Sequence, residues 1–580
     1  IKTGKEVQHL DQEKIYNVGH HHRCYGNRAT SRLLLTARRG TEFTNFKSGE
    51  IDLHHWVRGK CRFGVLPCNG LLYSLPHACS CYPYSMFKGY SALAPEGASD
   101  VSEKAFNRDE DRLVRGPNYG EIKDGDSTDG SETSASWPTY RHDGRRSGST
   151  PNNVNPENLR QIAWSTSFDK ELSGMTAGNG RLFVCTPETH QVHALDMNSG
   201  EVLWSYTAGG RVDSPPTLYN NMVIFGSKNG YVYCLRADSG RLVWRFRAAP
   251  IDRRIIDNSQ LESKWPVHGG VLIKDDKLYV SAGRSSLLDG GIALYALDPD
   301  SGDILAKNRL YDSHSEAESK MIQNDGLLDY REGSRRVEYI FNLESTIGIK
   351  NDILVSESDK VCIKQLQMNK NLETKGVLGN QFISMNGILN PDWLDRIGSF
   401  FGKPSNISNY SNADRSKYDF LDSPKQGSYM VFDEEMTYSV RLHPNLGKFR
   451  TSFIPGQKGY RIFADDNQTL PDPIYSTTNY SSMNRWNTYV PIRVEAMVAT
   501  GGETLFLAGT PDVVDEDDPW GAIEGRKGGL LWALSADNGE KLAEYQMDSP
   551  PVFDGMIAAN GKLYMATEDG NVICIGEKSG

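Results

Sequence analysis

Hydrophobic and polar residues alternate along much of the chain in short runs that are separated by turns. In one such stretch an alternating run over 191–195 leads into Asp196 and the pair Ser199-Gly200, and a second strand-like run follows and contains Trp204. Alternation with a period of two is typical of strands with one buried face, and Asp followed by Ser-Gly is typical of a tight turn. The pattern therefore predicts antiparallel pairs of strands.

The same arrangement repeats along the chain. Gly200 and Gly240, in two such turns, lie forty residues apart, and weaker copies of the turn occur around Gly49, Gly302 and Gly539. A period of about forty residues with about four strands is typical of a β-propeller blade. We expect an all-β propeller of eight four-stranded blades, with seven or nine as alternatives, and with long loop insertions on one face.

The regularity of the repeat divides the chain into predicted regions. These are the first blades with Cys- and His-rich loops over 1–95, a polar insertion over 96–158, regular blades over 159–310, irregular blades with insertions over 311–487, and the last blades over 488–580. Residues 2–7 resemble the second half of a repeat and 569–575 the first half. The N-terminal strand is therefore predicted to close the ring by completing the last blade.

Composition agrees with a globular protein that has a large core. The chain holds 64 Lys and Arg against 74 Asp and Glu, which gives a net charge of −10, and 38% of its residues are hydrophobic. A basic footprint for nucleic acid is absent, and no apolar run approaches the length of a membrane helix. We expect a carbohydrate or protein partner, no nucleic acid and no membrane span.

Five of the nine cysteines lie in the first 81 residues. Three of the others stand in strand-like runs and are predicted to be buried apolar residues: Cys185, Cys234 and Cys574. The clustered cysteines favour one or two disulfides, which would indicate an oxidising compartment, whereas a metal site and free thiols are the alternatives. The disulfide candidates are Cys24, Cys61, Cys79 and Cys81.

The repeats of Asp-x-x-Ser-Gly-x-x-x-Trp, together with the segment 137–143 and the triplet 146–148, resemble the PQQ-like (pyrroloquinoline-quinone-type) β-propeller repeat family. More narrowly, the segments 20–25, 56–83, 260–269, 283–286 and 524–529 are similar to large extracytoplasmic propeller proteins of planctomycete-type bacteria. The resemblance implies the propeller fold and an extracytoplasmic location, periplasmic or secreted. Because this repeat serves quinone dehydrogenases as well as outer-membrane assembly scaffolds, it implies no single activity.

The first group of candidate site residues lies near the N-terminus. Imidazole side chains are common ligands of divalent metals, and His can also act as a general acid or base. The candidate metal ligands are His20, His22 and His77. His22 and Tyr25 are candidate catalytic residues, and Arg23 is a candidate ligand-binding residue.

The second group lies in a loop that interrupts the forty-residue period and in the hairpin that follows it. Arginine offers forked donors for a carboxylate, Trp offers a face for stacking on a sugar or quinone, and His offers a base. The candidate catalytic residues are Arg254, His268 and Arg284, and the candidate ligand-binding residues are Arg253, Glu262, Trp265, Ser285 and Asp289. The alternative is a rim of ion pairs that only holds the loop.

Three functions fit these residues. We favour a propeller that binds a ligand or partner through its central funnel and capping loops, without catalysis or with an activity that the sequence does not indicate. The second hypothesis is a lyase-like enzyme on acidic polysaccharides, in which His or Tyr abstracts a proton next to a carboxylate that Arg neutralises. The third is a PQQ-dependent dehydrogenase. A divalent metal is preferred to PQQ as a cofactor, because no set of calcium ligands can be assigned and Cys79-Ser80-Cys81 is not the adjacent cysteine pair that the resemblance implies.

Overall fold

The structure is a computed structural model. It describes residues 3–6, 8–10, 25–37, 40–52, 57–75, 90–95, 103–120, 136–159, 161–257, 259–312, 348–377, 380–384, 387–389, 399–401, 425–441, 455–457, 459–467 and 485–576. Strands in antiparallel sheets dominate these residues, so the predicted all-β class is confirmed.

Two small sheets lie in the N-terminal region. The first has the strands β1 (Arg28–Ala29), β2 (Leu33–Thr36), β3 (Glu42–Asn45) and β4 (Ile51–Asp52). The second has β5 (Val65–Cys68), β6 (Leu71–Ser74) and β7 (Ser91–Leu93). Val57 is fully buried between the second sheet and Leu287 and Leu288 of the main body, which attaches the N-terminal region to that body.

A connecting region precedes the main body. It contains the helix α1 (Glu103–Asn107), the strands β8 (Leu113–Arg115), β9 (Ser149–Thr150) and β10 (Ile162–Ser167), and a short 3-10 helix (Pro156–Asn158). Each of these three strands joins a sheet of the main body, as described below.

The main body consists of consecutive antiparallel sheets, which we label A to H. Sheet A has β11 (Met175–Gly178), β12 (Arg181–Thr186), β13 (Gln191–Asp196) and β14 (Val202–Thr207), with a 3-10 helix at Pro187–Thr189. Sheet B has β15 (Thr217–Tyr219), β16 (Met222–Gly226), β17 (Tyr231–Arg236) and β18 (Leu242–Arg247), and β8 is its fifth strand. A separate hairpin of β19 (Arg254–Asp257) and β20 (Gln260–Ser263) follows.

Sheet C has β21 (Leu272–Lys274), β22 (Lys277–Ala282), β23 (Ile292–Leu297) and β24 (Ile304–Leu310), and sheet D has β25 (Val355–Glu357), β26 (Lys360–Ile363), β27 (Leu366–Met368) and β28 (Thr374–Val377). Sheet E has three strands, β29 (Ile383–Ser384), β30 (Ser399–Phe401) and β31 (Lys425–Gly427). Sheet F has β32 (Tyr429–Phe432), β33 (Met436–Arg441), β34 (Tyr460–Asp466) and β35 (Trp486–Val490).

Sheet G has β36 (Ile492–Thr500), β37 (Thr504–Pro511), β38 (Gly529–Ser535) and β39 (Lys541–Met547), and β9 is its fifth strand. Sheet H has β40 (Pro551–Ala559), β41 (Lys562–Thr567) and β42 (Asn571–Ile575), and β10 is its fourth strand.

The first strand of each large sheet is its inner strand, and these strands follow one another around a ring. β11 is next to β15, then β21 and β25 follow, and beyond sheet E the order continues through β32, β36 and β40. The ring closes because β40 contacts β11. This is the propeller arrangement that the repeat predicts. The count of eight blades stays a prediction, because sheet E has only three strands among the described residues.

The last sheet closes differently from the prediction for residues 2–7. β10 pairs antiparallel with β42, with Ser167 opposite Asn571, whereas the described residues 3–6 form no strand. The physical reason is Trp164 on β10. Its indole N–H donates to the carbonyl of Met197 over 3.1 Å, and its ring packs on Gly200 of sheet A. The N-terminal residues contain no Trp and cannot make this contact.

The contact of Trp164 recurs between other neighbouring sheets. In each case the Trp of an outer strand donates its indole N–H to a backbone carbonyl in the Ser-Gly or Asn-Gly turn region of the next sheet. The bonds are Trp204 to Ala237 at 3.0 Å, Trp244 to Pro299 at 3.1 Å and Trp486 to Ala536 at 2.8 Å. Trp164, Trp204, Trp244 and Trp486 therefore each link their sheet to the next one.

The hydrophobic core lies between adjacent sheets. Cys185, Cys234 and Cys574 are fully buried in it, as predicted. Cys24, Cys79 and Cys81 lie outside the described residues, so the disulfide pairing stays a prediction. Among the described residues no helix is long and apolar enough to cross a bilayer.

Candidate functional site

One segment, residues 136–150, runs through the middle of the ring, and we call it the axial segment. Trp137 exchanges two backbone hydrogen bonds of 2.8 Å with Ala177 on β11, and the carbonyl of Pro138 accepts from Leu218 on β15. At its other end, β9 pairs in parallel with β36. The extended backbone of the axial segment lies among the inner strands. Its N–H and C=O groups form hydrogen bonds with backbone groups at the edges of these strands.

The side chain of Arg146 ties the axial segment to two further sheets. It is fully buried and donates to the carbonyls of Val271, next to β21, at 3.0 Å and of Leu354, next to β25, at 3.2 Å. It also donates to the hydroxyl of Thr139 and the carbonyl of Tyr140. Since all four acceptors are neutral, burial lowers the pKa of Arg146 to about 10. Four of its five N–H donors are therefore used in holding the segment.

Tyr140 and Arg141 complete the circuit of contacts. The guanidinium of Arg141 lies 2.9 Å from a carboxylate oxygen of Asp554 on β40, and the Tyr140 hydroxyl donates to the other oxygen over 2.6 Å. Tyr429 on β32 also donates to this carboxylate. Arg141 lies over the ring of Phe382, next to sheet E, at 5.1 Å. Burial raises the pKa of Asp554, and Arg141 opposes that effect.

The axial segment thus contacts every sheet of the ring. The family resemblance implies a planar quinone as one candidate cofactor. Such a quinone needs a flat cavity with an aromatic side chain on which to stack. At the level of Tyr140 and Arg141 the middle of the ring holds buried side chains that bond to each other and to Asp554. The described residues at this level therefore do not fit a quinone.

Trp265 does not offer the stacking face that the sequence indicated. It is fully buried, its indole N–H donates to the carbonyl of Asp289 over 3.0 Å, and its ring meets Phe106 edge to face at 6.2 Å. The expectation of a stacking Trp265 is wrong because α1 and sheet C enclose the ring. The carboxylate of Asp289 pairs with Lys264 at 2.7 Å.

Glu262 and Arg284, two predicted site residues, do lie together. Arg284 donates to Glu262 at 3.2 Å and to Asp257 at 2.9 Å, and its other nitrogen bonds to the carbonyls of Ser263 and Lys264. The side chain of Glu262 is fully buried, and one of its oxygens has no hydrogen-bond partner among the described residues. Burial raises the pKa of Glu262 to about 7.

His268 belongs to an adjoining group of charges. Its Nδ1 lies 3.1 Å from the Lys228 ammonium, which pairs with Asp213 at 3.2 Å. Arg211 also pairs with Asp213, at 2.5 Å. Burial opposes ionisation of Asp213, but Lys228 and Arg211 outweigh it and lower the pKa of this carboxyl. Lys228 also acts electrostatically on Glu262, so the two groups form one polar cluster.

The remaining predicted residues of the second group lie apart from this cluster. Arg253 and Arg254 are exposed, and Arg254 pairs with Asp252 at 3.3 Å. Ser285 is fully buried and bridges to the backbone of Lys350. The ion-paired rim, the alternative that the sequence left open, describes much of this region.

The N-terminal candidates fall into two sets. His20, His22, Arg23 and His77 lie outside the described residues. Tyr25 is described and buried; its hydroxyl donates to the Gly40 carbonyl over 2.9 Å, and burial raises its pKa. Its described contacts are with other N-terminal residues, and it is not brought to the Glu262 cluster. The described residues contain no group of three or more His, Cys, Asp or Glu arranged for a metal ion.

Glu495 on β36 is a buried ionisable group that the sequence reasoning missed. It is 7% exposed, and one of its oxygens has no hydrogen-bond partner among the described residues. Burial raises its pKa to about 8, and Arg493, 3.7 Å away, opposes the shift. A single carboxylate within the apolar run 492–500 was the signal in the sequence.

The β19–β20 hairpin presents apolar side chains to solvent. We call the side of the ring at which the inner strands begin the upper face; the hairpin lies there, between sheets B and C. Ile256 and Leu261 face each other across its two strands and are 77% and 59% exposed. The turn end of the hairpin is held by the bond of Arg284 to Asp257 and by the side-chain oxygen of Gln260, which lies 2.7 Å from Nε2 of His190.

Comparison with known proteins adds to this geometry. A family model described as outer membrane protein assembly factor BamB matches residues 153–337, which include the forty-residue repeats of sheets A and B. Over these residues the chain matches the PQQ-like β-propeller repeat family that its repeats resemble. This propeller is 32% identical over 89 residues to the outer membrane protein assembly factor BamB of Shewanella oneidensis, a match that covers 15% of the chain and 22% of the relative.

A second kind of relative is a dehydrogenase. Over 213 residues the propeller is 25% identical to the quinohemoprotein alcohol dehydrogenase ADH IIB of Pseudomonas putida, covering 30% of the chain and 31% of the relative. The chain therefore spans less than a third of the length of both relatives. Among solved structures, a europium-containing methanol dehydrogenase is similar with a TM-score of 0.44 and 11% identity, over 75% of this chain and 90% of that one.

Proposed function

We propose that this PQQ-like propeller is a non-catalytic binding protein that takes a protein partner on its upper face. The observation that carries the proposal is the axial segment. Because buried side chains of the protein itself fill the middle of the ring at Tyr140 and Arg141, the surfaces that remain for function are the loops and hairpins around it.

The β19–β20 hairpin has the features of a partner contact. Two exposed apolar side chains, Ile256 and Leu261, stand side by side on a hairpin that the ion pair between Arg284 and Asp257 holds in place. A fixed apolar pair loses little conformational entropy on binding, and such anchors supply most of the binding energy of protein interfaces.

The relatives support a binding role outside the cytoplasm. Two of them are named outer membrane protein assembly factors, which describes proteins that act on other proteins. An extracytoplasmic location, periplasmic or secreted, is part of this proposal and agrees with those names. The dehydrogenase relatives support the competing activity, for which the described axis offers no quinone slot.

The test is a pair of measurements on the purified full chain. A photo-crosslinking amino acid at Leu261 should capture a defined partner from the native extract. That partner, purified, should bind the wild-type propeller saturably. Ile256→Asp should weaken this binding by about tenfold or more, as expected for an anchor residue. Leu542→Asp, at a similarly exposed apolar position on β39, is the matched control and should bind like the wild type.

Two results would overturn the proposal. One is saturable uptake of added PQQ with alcohol-dependent reduction of a dye. The other is equal loss of partner binding in Ile256→Asp and Leu542→Asp, which would show a general effect of surface charge.

The Glu262 cluster supports a second candidate, a lyase-like activity on acidic polysaccharides. A carboxyl with a pKa of about 7 next to Arg284 and the Lys228–His268 pair has the components of proton abstraction beside a neutralised carboxylate. Incubation with uronate polymers should then produce an unsaturated product that absorbs in the near ultraviolet. Glu262→Gln and His268→Ala should abolish that absorbance, and its absence in the wild type would reject this candidate.

A further inference from the structure

The loop between β37 and β38, residues 512–527, lies on the upper face of sheet G, because Pro511 at the end of β37 pairs with Ile492 at the start of the inner strand. It contains six acidic and two basic residues, a net charge of −4. We call it the acidic loop. The composition of the acidic loop alone predicts a solvent-exposed stretch of charged residues.

Ion pairs fix the conformation of this loop. Arg526 makes two bonds to the carboxylate of Asp518, at 2.6 and 3.1 Å, and also pairs with Glu524. Lys527 pairs with Asp515 at 2.5 Å. Both cations of the loop are therefore engaged within it. An Arg–carboxylate pair with two hydrogen bonds fixes the relative orientation of the two side chains in addition to pairing their charges.

Two carboxylates are left over by this arrangement. Asp512 accepts from the backbone N–H of Gly456 over 2.9 Å, whereas Glu516 and Asp517 are exposed and have no cationic partner within the part of the chain that the structure describes. The loop also exposes four large apolar side chains within eleven residues: Val513, Val514, Trp520 and Ile523. Trp520 is 63% and Val514 54% exposed. Solvated acidic loops do not need exposed Trp and aliphatic side chains, and four of them in one short loop indicate contact with a partner.

We propose that the acidic loop is a docking surface for a protein segment that alternates Lys or Arg with apolar residues. The cations of this segment pair with Glu516 and Asp517, and an Arg or Lys can also lie over the face of Trp520. The apolar side chains of the segment cover Val513, Val514 and Ile523. The negative charge of the loop favours a positively charged partner segment. The exposed apolar side chains favour a contact from which water is excluded.

The aliphatic side chains decide between a protein segment and a polysaccharide. Sugars bind to proteins through an aromatic face and surrounding polar groups, and they gain little from Val and Ile. An apolar peptide side chain gains roughly 25 cal/mol per Å² from such contacts. A metal ion does not fit, because the carboxylates form no metal-binding group among the described residues.

This surface is separate from the hairpin, since it belongs to sheet G and the hairpin lies between sheets B and C. The acidic-loop proposal rests on the proposed function only because both surfaces are proposed to bind a protein partner. The two can fail independently, because the hairpin variant Ile256→Asp leaves the acidic loop intact.

The experiment is fluorescence anisotropy of the full chain with a short labelled peptide that alternates Arg and Lys with Leu and Phe. Two further peptides serve as comparisons: one with Ser in place of Leu and Phe, and one with Glu in place of the cations. The first peptide should bind saturably and quench Trp fluorescence, and added salt should weaken it. The other two should bind at least about tenfold more weakly.

Variants then assign the binding to the loop. Trp520→Ser, and separately Glu516→Gln with Asp517→Asn, should each weaken the first peptide by about tenfold, with unchanged circular dichroism and thermal midpoint. Glu544→Gln, which removes an exposed carboxylate on β39, and Ile256→Asp should bind like the wild type. Equal affinity for the Ser-containing peptide, or wild-type binding by Trp520→Ser, would overturn the proposal. So would Trp520-dependent binding of oligosaccharides in place of the peptide.

Discussion

Arg141 on the axial segment and Asp554 on β40 form a buried ion pair with a separation of 2.9 Å. Asp554 belongs to sheet H, which β10 completes and which closes the ring against sheet A. The pair therefore joins the segment in the middle of the ring to the sheet at which the ring closes. Two hydroxyls, from Tyr140 and Tyr429, satisfy the remaining capacity of the carboxylate.

Removal of one partner of this pair should destabilise the whole ring. Arg141→Met leaves Asp554 as a buried carboxylate without its counterion, and such losses cost about 3 to 5 kcal/mol. Urea unfolding followed by Trp fluorescence measures the effect. Lys541→Met, which removes an exposed pair with Glu544 at 2.8 Å, is the control and should cost less than about 1 kcal/mol. Equal costs for the two variants would contradict the role of the axial segment.

The Trp contacts between sheets make a second prediction. Gly200 has a φ of 75°, and a Cβ there would lie 2.4 Å from the ring of Trp164. Gly180 has a φ of 74° but nothing within 4 Å of such a Cβ, so Gly180→Ala carries only the backbone cost, about 1 kcal/mol. Gly200→Ala should cost about 2 kcal/mol more, because Trp164 must move out of its contact.

Thermal denaturation of the two Gly variants provides the comparison, and the double variant Gly200→Ala with Trp164→Phe tests its cause. The smaller ring should recover part of the loss. If Gly200→Ala and Gly180→Ala melt at the same temperature, the Trp contact is not what holds sheet H against sheet A.

The strands and their repeat could be predicted from the sequence because both depend on local pattern. The Ser-Gly turns are visible in single blades, the forty-residue period is visible between neighbouring blades, and outer strands such as β14 and β39 alternate in burial. Even Trp164 was available as a signal, since Trp164, Trp204 and Trp244 are spaced by forty. That spacing places β10 as the outer strand of a blade, which is the closure that the structure has.

The axial segment could not be located in this way. Its residues resemble the family, but its contacts join positions as far apart as Tyr140 and Asp554, 414 residues along the chain. Nothing in local spacing indicates such a partner. The same limit explains Trp265, because α1, which covers it through Phe106, is remote in sequence. Arg284 and Glu262 were found because the loop and hairpin that carry them are adjacent.

Thiol reactivity should separate the cysteines by burial. Cys185, Cys234, Cys362 and Cys574 are buried, and burial raises the pKa of Cys185 and Cys362 to about 12. Since the thiolate is the reactive form, these four should react with a thiol reagent only after unfolding. Cys68 is exposed and should react in the native protein, and Cys68→Ser should remove that reaction. Modification of a core cysteine in the native state, identified by mass spectrometry, would contradict the packing of sheets A to H.

Glu495 should make the stability of the protein depend on pH. Its pKa is about 8 in the fold and about 4.5 ordinarily, so between these values the native state holds a proton that the unfolded chain has lost. Stability should therefore fall as pH rises through this window, with a slope on the order of 1 kcal/mol per pH unit. Glu495→Gln keeps the shape without the charge and should remove this contribution. Its advantage over the wild type in urea unfolding should then be larger at pH 7.5 than at pH 5.5. Glu544→Gln on β39, an exposed position, should show no such difference, and an advantage of Glu495→Gln that is equal at both pH values would mean that Glu495 is ionised throughout.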